Sequence, residues 1–342
     1  MSYELLGITV LWTFLYGYLI VASIDFGAGF FSYYSEVTGN KNVIHHIIER
    51  YLSPVWEVTN VFLIFFMVGI VGFFPDTAYY YGTALLIPGS IAIILLAIRG
   101  SYYAFANYGS KKDNRIYLFL YGASGLLIPA SLSTVLTLSE GGFIEERGDK
   151  VVFLYQKLFT SSYSWSVVLL AIVSVLYISA VFLAYYADKA GDKPALHLLR
   201  RYAIGWSMPT ILCSLLVFFA ISRHNPQHFE RMVDLYWMFA LSFLCFAAGL
   251  YLVWTRKAYG LAFIFVMLQF AYAFFGYGAA HLPYLLYPYL TIHDNFTNEA
   301  MATALIIVFV LGLLVLIPSL ALLMKLFLFD AKYVQGKTKP KK

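Results

Sequence analysis

The chain has 342 residues, of which 61% are hydrophobic and 19% aromatic, whereas only 12% are charged. A soluble domain carries about 25% charged residues, and a disordered chain lacks so many aromatic residues, so the composition excludes both classes. The net charge of +5 is no signal of nucleic-acid binding. At about 20 residues per span, the chain has room for about eight to ten transmembrane helices.

Nine apolar runs along the chain are long enough to cross a bilayer. They lie near residues 6–30, 55–74, 79–107, 116–138, 163–187, 203–222, 233–254, 259–281 and 302–329. Each is predicted to be a helix, because a strand exposed to lipid would leave backbone groups unpaired. The sequence therefore predicts an all-α integral membrane protein with one polytopic domain over residues 1–331 and a basic tail at residues 332–342.

The loops between the runs predict how the helices are arranged and oriented. The longest outer loop, residues 139–162, separates four spans from five, which predicts two four-helix bundles plus a final helix. With the N-terminus outside, 17 Lys and Arg residues fall on the inner side and five on the outer side. Since the inner loops of membrane proteins carry the excess of positive charge, we expect an outer N-terminus and a cytoplasmic C-terminus.

Three ionisable residues lie inside predicted spans, where a charge is costly and faces protein or water. At 1.5 Å per residue, Asp25 lies roughly 7 Å from the cytoplasmic end of its span, Glu57 lies close to the same face, and Arg99 lies roughly 12 Å from it. Depth alone leaves two interpretations open. In the first, the three residues form an Arg–carboxylate ion pair that fixes the bundle. In the second, a carboxylate among them takes up protons from the inner water phase.

The histidines and cysteines bear on whether this chain can hold a haem or a metal ion by itself. Only His281 closes an apolar run, where a helix-end hydrogen bond is a commoner role than haem ligation. His224 and His228 have i,i+4 spacing but lack the acid of an HExxH motif, and neither Cys213 nor Cys245 belongs to a CxxC pair. The sequence predicts no metal site and no haem bound by this chain alone.

Several short motifs stand out in the first hundred residues, followed by two more near the last span. They are Ile24-Asp-Phe-Gly-Ala-Gly29, Pro54-Val-Trp-Glu57, Leu63-Ile64, Phe74-Pro75 and Arg99, and later Phe275-Gly-Tyr-Gly with His281-Leu-Pro-Tyr, and Leu290-Thr-Ile-His-Asp294. In order and spacing the early motifs resemble subunit II of cytochrome bd quinol oxidase, and the later ones resemble the loop before the last helix of that family.

This resemblance implies a subunit of a bacterial respiratory oxidase that takes electrons from quinol, reduces dioxygen to water and draws protons from the cytoplasm. It implies that haem b and haem d belong to a partner, subunit I, and that this chain is inactive alone and binds no cofactor by itself. It also implies a location in the bacterial cell membrane, contacts with lipid and quinone, and a small single-span accessory subunit. No nucleic-acid partner is expected.

Carried over by position, the resemblance assigns roles to the residues already singled out. Asp25 and Glu57 would belong to a proton-uptake route, and Arg99 would pair with a carboxylate or with a haem propionate across the subunit interface. Trp56 falls on the Trp of the family's Trp-Asp pair and is a candidate for cofactor contact. The family's usual Trp-Asp-Gly-Asn-Glu-Val-Trp reads Trp56-Glu-Val-Thr-Asn-Val-Phe62 here, so the hydroxyl of Thr59 is a candidate for part of the route.

The alternative from a different functional class is a proton-coupled secondary transporter that uses the same three charged residues. Transporters commonly have internal repeats and broken helices near the bilayer midplane. The sequence shows no pair of Gly- or Pro-interrupted spans in matching positions, and the charged residues lie near one face, so the oxidase subunit is the preferred prediction.

Overall fold

The computed structural model of the protein describes residues 2–108, 115–148 and 150–327, without the side chains of residues 41, 42, 45, 49–58, 103–108, 150, 326 and 327. This part of the chain forms thirteen helices and two short antiparallel hairpins. The helices are α1 (Tyr3–Val37), α2 (Lys41–Phe73), α3 (Pro75–Ala84), α4 (Leu86–Tyr108), α5 (Arg115–Leu132), α6 (Thr134–Ser139), α7 (Tyr155–Thr160), α8 (Ser162–Ala190), α9 (Lys193–His224), α10 (Pro226–Asp234), α11 (Tyr236–Trp254), α12 (Tyr259–His281) and α13 (Glu299–Phe327). The strands are β1 (Ile144–Arg147), β2 (Lys150–Phe153), β3 (Tyr284–Leu286) and β4 (Leu290–Thr291).

Most of the described helices are suited to a bilayer. Seven segments are long and apolar enough to cross it: α1, α5 together with α6, α8, α9, α11, α12 and α13. The bent pair α3 and α4 is an eighth if it is counted as one span, and Thr59–Phe73 of α2 is a shorter apolar stretch. The predicted all-α, multi-pass membrane class is confirmed, whereas the nine spans, the two bundles and the orientation stay predictions.

The third predicted span differs from a single continuous helix. Its first part is α3, and α3 meets α4 at Leu85 with a bend of 80°. The break has a local cause, because Pro88 has no backbone N–H and cannot donate to the carbonyl of Ala84, as the corresponding residue of an unbroken helix would. Within this pair, it is α4 that carries Arg99.

Helices α1 and α2 extend beyond the spans predicted for them. α1 continues past residue 30 to Val37, and it stops just before Gly39, whose φ of +74° is a conformation that glycine adopts readily. α2 begins at Lys41 rather than near residue 55. Asp25 therefore lies about 18 Å from the end of its helix at 1.5 Å per residue, a larger separation than the sequence predicts.

Helix α1 lies at the centre of the packing and contacts α2, α5 and α8. Its contact with α8 is close: a Cβ at Gly27 would lie 2.3 Å from the Cβ of Ser179, and the hydroxyl of Ser179 donates to the carbonyl of Ile24 at 2.9 Å. Small residues of this kind let membrane helices approach without a hydrophobic driving force. The result is a buried interior face of α1, on which Asp25 is 2% exposed.

The polar segments predicted as loops contain ordered structure at one end of the helices. The segment 139–162 holds the β1–β2 hairpin and α7, and the segment after α12 holds the β3–β4 hairpin. The two segments meet where the backbone N–H of Tyr287 donates to the carbonyl of Ser139 at 2.8 Å. This contact brings the end of α6 towards the end of α12, and α10 packs against α12 beside them.

Candidate functional site

The buried charges at positions 25 and 99 form an ion pair between α1 and α4. Nε of Arg99 donates to Oδ2 of Asp25 at 2.7 Å, and Nη2 donates to the backbone carbonyl of Asp25. Arg99 is 1% exposed. Removing either partner at this depth would leave an uncompensated buried charge, which is strongly unfavourable. The geometry is that of an ion pair between these two residues.

The other side of the guanidinium contacts α5. Nη1 donates to the carbonyl of Tyr121 at 3.0 Å and lies 3.4 Å from Oγ of Ser124. The ring of Tyr121 lies 4.1 Å from Cζ of Arg99, within the range of a cation–π interaction, and its hydroxyl is 3.4 Å from Oδ1 of Asp25. The planar fork of an arginine can bond several acceptors at once, so one side chain joins three helices.

Two glycines allow these helices to come so close. A Cβ at Gly125 of α5 would lie 2.2 Å from the carbonyl oxygen of Phe26, and a Cβ at Gly29 of α1 would lie 2.9 Å from Nη1 of Arg99. Real Cβ atoms do not approach backbone oxygens to 2.2 Å. Any larger residue at Gly125 would therefore push α5 away from α1 and weaken the contacts that hold Arg99.

The close contact of α1 and α5 at Gly125 is expected to matter for stability. Gly125→Ala is expected to lower the thermal unfolding temperature of the detergent-purified protein, measured by tryptophan fluorescence, because the added methyl group forces α1 and α5 apart. Gly205→Ala in α9 is the matched control, since no described atom outside the adjoining turns of its own helix lies within 4 Å of a Cβ there. Equal unfolding temperatures for the two variants would contradict a role for the α1–α5 contact in stability.

The remaining predicted site residues all lie on α2. Thr59 is buried, with 3% of its surface exposed, so its hydroxyl faces the protein interior and not lipid or water. The side chains of Trp56 and Glu57 lie outside the described residues, and their roles stay predictions. Of the predicted site residues, Asp25 and Arg99 are in direct contact in the structure.

A second buried polar cluster surrounds Glu140, directly after α6. Its Oε1 lies 2.7 Å from Nδ1 of His228 and 3.4 Å from Nδ1 of His281, and it accepts a hydrogen bond from the hydroxyl of Tyr277. Its Oε2 accepts from Nδ2 of Asn225 at 2.9 Å. Burial raises the pKa of the Glu140 carboxyl, but the hydrogen bond from His228 and the nearby imidazoles outweigh burial, so the pKa lies below its ordinary value.

The sequence did not identify Glu140 as a candidate. It precedes His228 by 88 residues and belongs to no local motif, so only the packing of three helix ends reveals the cluster. The available signal was weak: a carboxylate directly after one apolar run and His281 at the end of another. His281 lies at a helix end, as predicted, and faces a carboxylate there.

His224 lies near this cluster but does not belong to it. Its ring stacks on Phe143 at 5.2 Å and on Tyr163 at 4.8 Å between centroids, and its Nε2 is 3.1 Å from the carbonyl of Gly141. The i,i+4 pair of histidines noted in the sequence therefore divides between two environments, one formed by aromatic rings and one by a carboxylate.

Comparison with known proteins gives one consistent result. Residues 3–327 match the family model described as cytochrome bd terminal oxidase subunit II. The chain is similar to a protein of Bacillus subtilis (strain 168) described as a cytochrome bd menaquinol oxidase subunit II, with 34% identity over 97% of each chain. It is also similar to a chain in the structure of the bd oxidase from Geobacillus thermodenitrificans, with 61% identity, a TM-score of 0.84, and coverage of 96% of this chain and all of that chain.

Proposed function

The chain belongs to the cytochrome bd terminal oxidase subunit II family, and on this premise we propose that it supports the haem-bearing subunit I and takes part in proton uptake from the cytoplasm. It is a subunit of a quinol oxidase complex, an oxidoreductase, in the bacterial plasma membrane. For the direction of proton uptake, the chain is taken in its predicted orientation, with the N-terminus outside.

The observation that carries the supporting role in this proposal is the buried Asp25–Arg99 pair. Burying two charged side chains inside a membrane protein is costly, so such a pair indicates a specific role. Here both are almost fully buried, and the guanidinium bonds acceptors on two other helices. We propose that this pair holds α1, α4 and α5 in their relative positions. The polar face of α1 that bears Asp25 is thereby kept in the interior of the protein.

Glu57 is the proton carrier in this proposal, and Asp25 on α1 and Thr59 on α2 are the other proposed members of the route. The carboxylate of Asp25 is already held in an ion pair with a permanently charged guanidinium. A glutamate can bind and release a proton, and Thr59 can donate and accept a hydrogen bond at once. The proton-uptake role therefore rests most heavily on Glu57.

Among the described residues, the surroundings of the histidines do not fit a haem held by this chain. His228 and His281 are the buried histidines, and both contact Glu140. The cavity beside them has a volume of about 10 Å³, the space of a single water molecule and far too small for a porphyrin. We propose that haem b and haem d are held by subunit I, and that Arg99 serves Asp25 and not a haem propionate.

The proposal is tested first by purifying the complex through an affinity tag on this chain. The expected result is co-purification of a larger haem-bearing subunit, absorption bands of haem b and haem d, and oxygen uptake driven by quinol. A menaquinol analogue is the donor to use, since the Bacillus subtilis relative is described as a menaquinol oxidase subunit. A small single-span subunit is also expected in the preparation.

A colourless protein that purifies alone would contradict the proposal and favour the transporter alternative. No observation in the described structure favours that alternative now. The one bent span, α3 with α4, has no counterpart among the described helices, whereas a transporter built from repeats would show a matching pair.

A further inference from the structure

We propose that Glu140, His228 and His281 form a binding site for a divalent transition-metal ion of the Zn²⁺ type. The three residues each offer a ligand atom, and these atoms all lie within 4.8 Å of one another. Two imidazoles and one carboxylate are a donor set that zinc accepts, with a fourth position left for water or another oxygen. The site is separate from the Asp25–Arg99 pair and does not depend on the proposed proton route.

The distances suit a metal ion of this size. Tetrahedral zinc with bonds of 2.0–2.1 Å places neighbouring ligand atoms about 3.3 Å apart. Nδ1 of His281 already lies 3.4 Å from Oε1 of Glu140. Nδ1 of His228 lies 2.7 Å from the same oxygen, so a shift of roughly half an ångström in one side chain would bring this pair to the separation expected around zinc.

The hydrogen bonds of His228 supply the chemical reason for a cation. Its Nε2 lies 3.2 Å from the carbonyl of Tyr277, and its Nδ1 faces Glu140, so both ring nitrogens face acceptors. In the tautomer whose Nε2–H donates to this carbonyl, the lone pair of Nδ1 is available to an ion that also binds Glu140. A backbone carbonyl that holds the far N–H is the usual arrangement around a metal-ligating histidine.

His281 is the second, independent observation. It is 8% exposed, and its buried Nε2 has no hydrogen-bond partner in the described part of the chain. Buried polar groups without partners are rare and call for an explanation, such as a water or an ion. An ion bound through Nδ1, which lies 3.4 Å from Oε1 of Glu140, would fix the ring, and the small cavity that His281 lines has space for one water to accept from Nε2–H.

Of the other contacts at the site, those of Tyr277 and Asn225 fit this assignment, whereas the charge of Arg231 opposes it. The hydroxyl of Tyr277 contacts Oε1 of Glu140 and could fill the fourth position in place of water. Asn225 holds Oε2 at 2.9 Å, which orients the carboxylate as an outer-shell partner does. Arg231, on the wall of the small cavity beside both rings, donates to the carbonyl of Leu282 and adds a positive charge that would limit affinity. The ion would join the ends of α6, α10 and α12.

The test uses the purified oxidase complex, first treated with a chelator and then dialysed against zinc chloride. Elemental analysis is expected to show one more zinc per complex than in a complex carrying His281→Gln, and zinc-edge X-ray absorption is expected to show two imidazole ligands. The zinc affinity of the variant should fall by more than about 100-fold, since even outer-shell changes cost 10–100-fold. His224→Gln is the matched control and should keep the wild-type stoichiometry.

A measurement on the unaltered complex keeps the proposal testable even if His281→Gln fails to assemble. Zinc is expected to raise the thermal unfolding temperature of the wild-type complex in a concentration-dependent way, because a ligand that binds only the folded state stabilises it. The proposal is overturned if wild-type complex takes up no zinc after dialysis. It is equally overturned if the absorption edge shows no imidazole ligands, or if His281→Gln binds zinc as well as the wild type does.

Discussion

Replacing Glu57 by Gln is expected to lower the quinol-driven oxygen consumption of the purified complex by about 100-fold, the lower part of the range for the loss of a positioned proton-transfer group. Glutamine has nearly the same size but cannot bind and release a proton. The haem content, measured by absorption, should stay at the wild-type level because the haems are proposed to be held by subunit I. Oxygen electrode rates with a menaquinol analogue give the comparison.

Glu57→Asp is the control for this prediction. It keeps a titratable carboxyl and restores the residue that the related family motif usually carries at this position, so most of the activity should remain. Thr59→Val tests the neighbouring hydroxyl in the same way, with a smaller loss expected because water can replace one hydroxyl in a hydrogen-bonded chain. Full activity of Glu57→Gln with normal haem content would remove Glu57 from the route and leave a purely supporting role for this chain.

The membrane class could be predicted from the sequence because hydropathy is a property of segments and not of contacts. Long apolar runs with few charges leave little alternative to a helix that crosses lipid. Helix ends were less predictable: α1 continues to Val37 and α2 starts at Lys41, beyond the apolar runs. A helix can continue into water until a cap or a glycine stops it, so hydropathy marks the lipid-facing part and not the whole element.

The candidate site was predictable in its charges and not in its partners. A buried arginine needs a carboxylate, so Arg99 and Asp25 could be linked from their positions in two spans. The carbonyl of Tyr121 could not be predicted as a partner of Arg99. Every residue has a backbone carbonyl, and only the close approach of α5 to α1 brings that of Tyr121 to the guanidinium. The Glu140 cluster was missed for the same reason, since its members come from three segments that share no sequence pattern.

Replacing Arg99 by Gln is expected to destabilise the complex by about 3–5 kcal/mol, the usual cost of removing one partner of a buried ion pair. Asp25 would lose the donor at 2.7 Å, and the carbonyl of Tyr121 would lose its donor from α4. The measurement is the yield of assembled complex in membranes and its thermal unfolding temperature in detergent. Arg99→Lys should rescue little, because a lysine cannot span acceptors on two helices as the planar fork does.

The double variant Asp25→Asn with Arg99→Gln separates the two interpretations that depth alone left open. The double variant leaves no uncompensated buried charge, so it should assemble better than Arg99→Gln alone. If the assembled double variant turns over at the wild-type rate, the pair only fixes the helices, and the proton route runs through Glu57 without Asp25. If the double variant assembles and its turnover is as low as that of Glu57→Gln, Asp25 carries protons as well. An Arg99→Gln complex as stable as the wild type would contradict the structural role of the pair, because a charge buried to this extent cannot lose its partner without a measurable loss of stability.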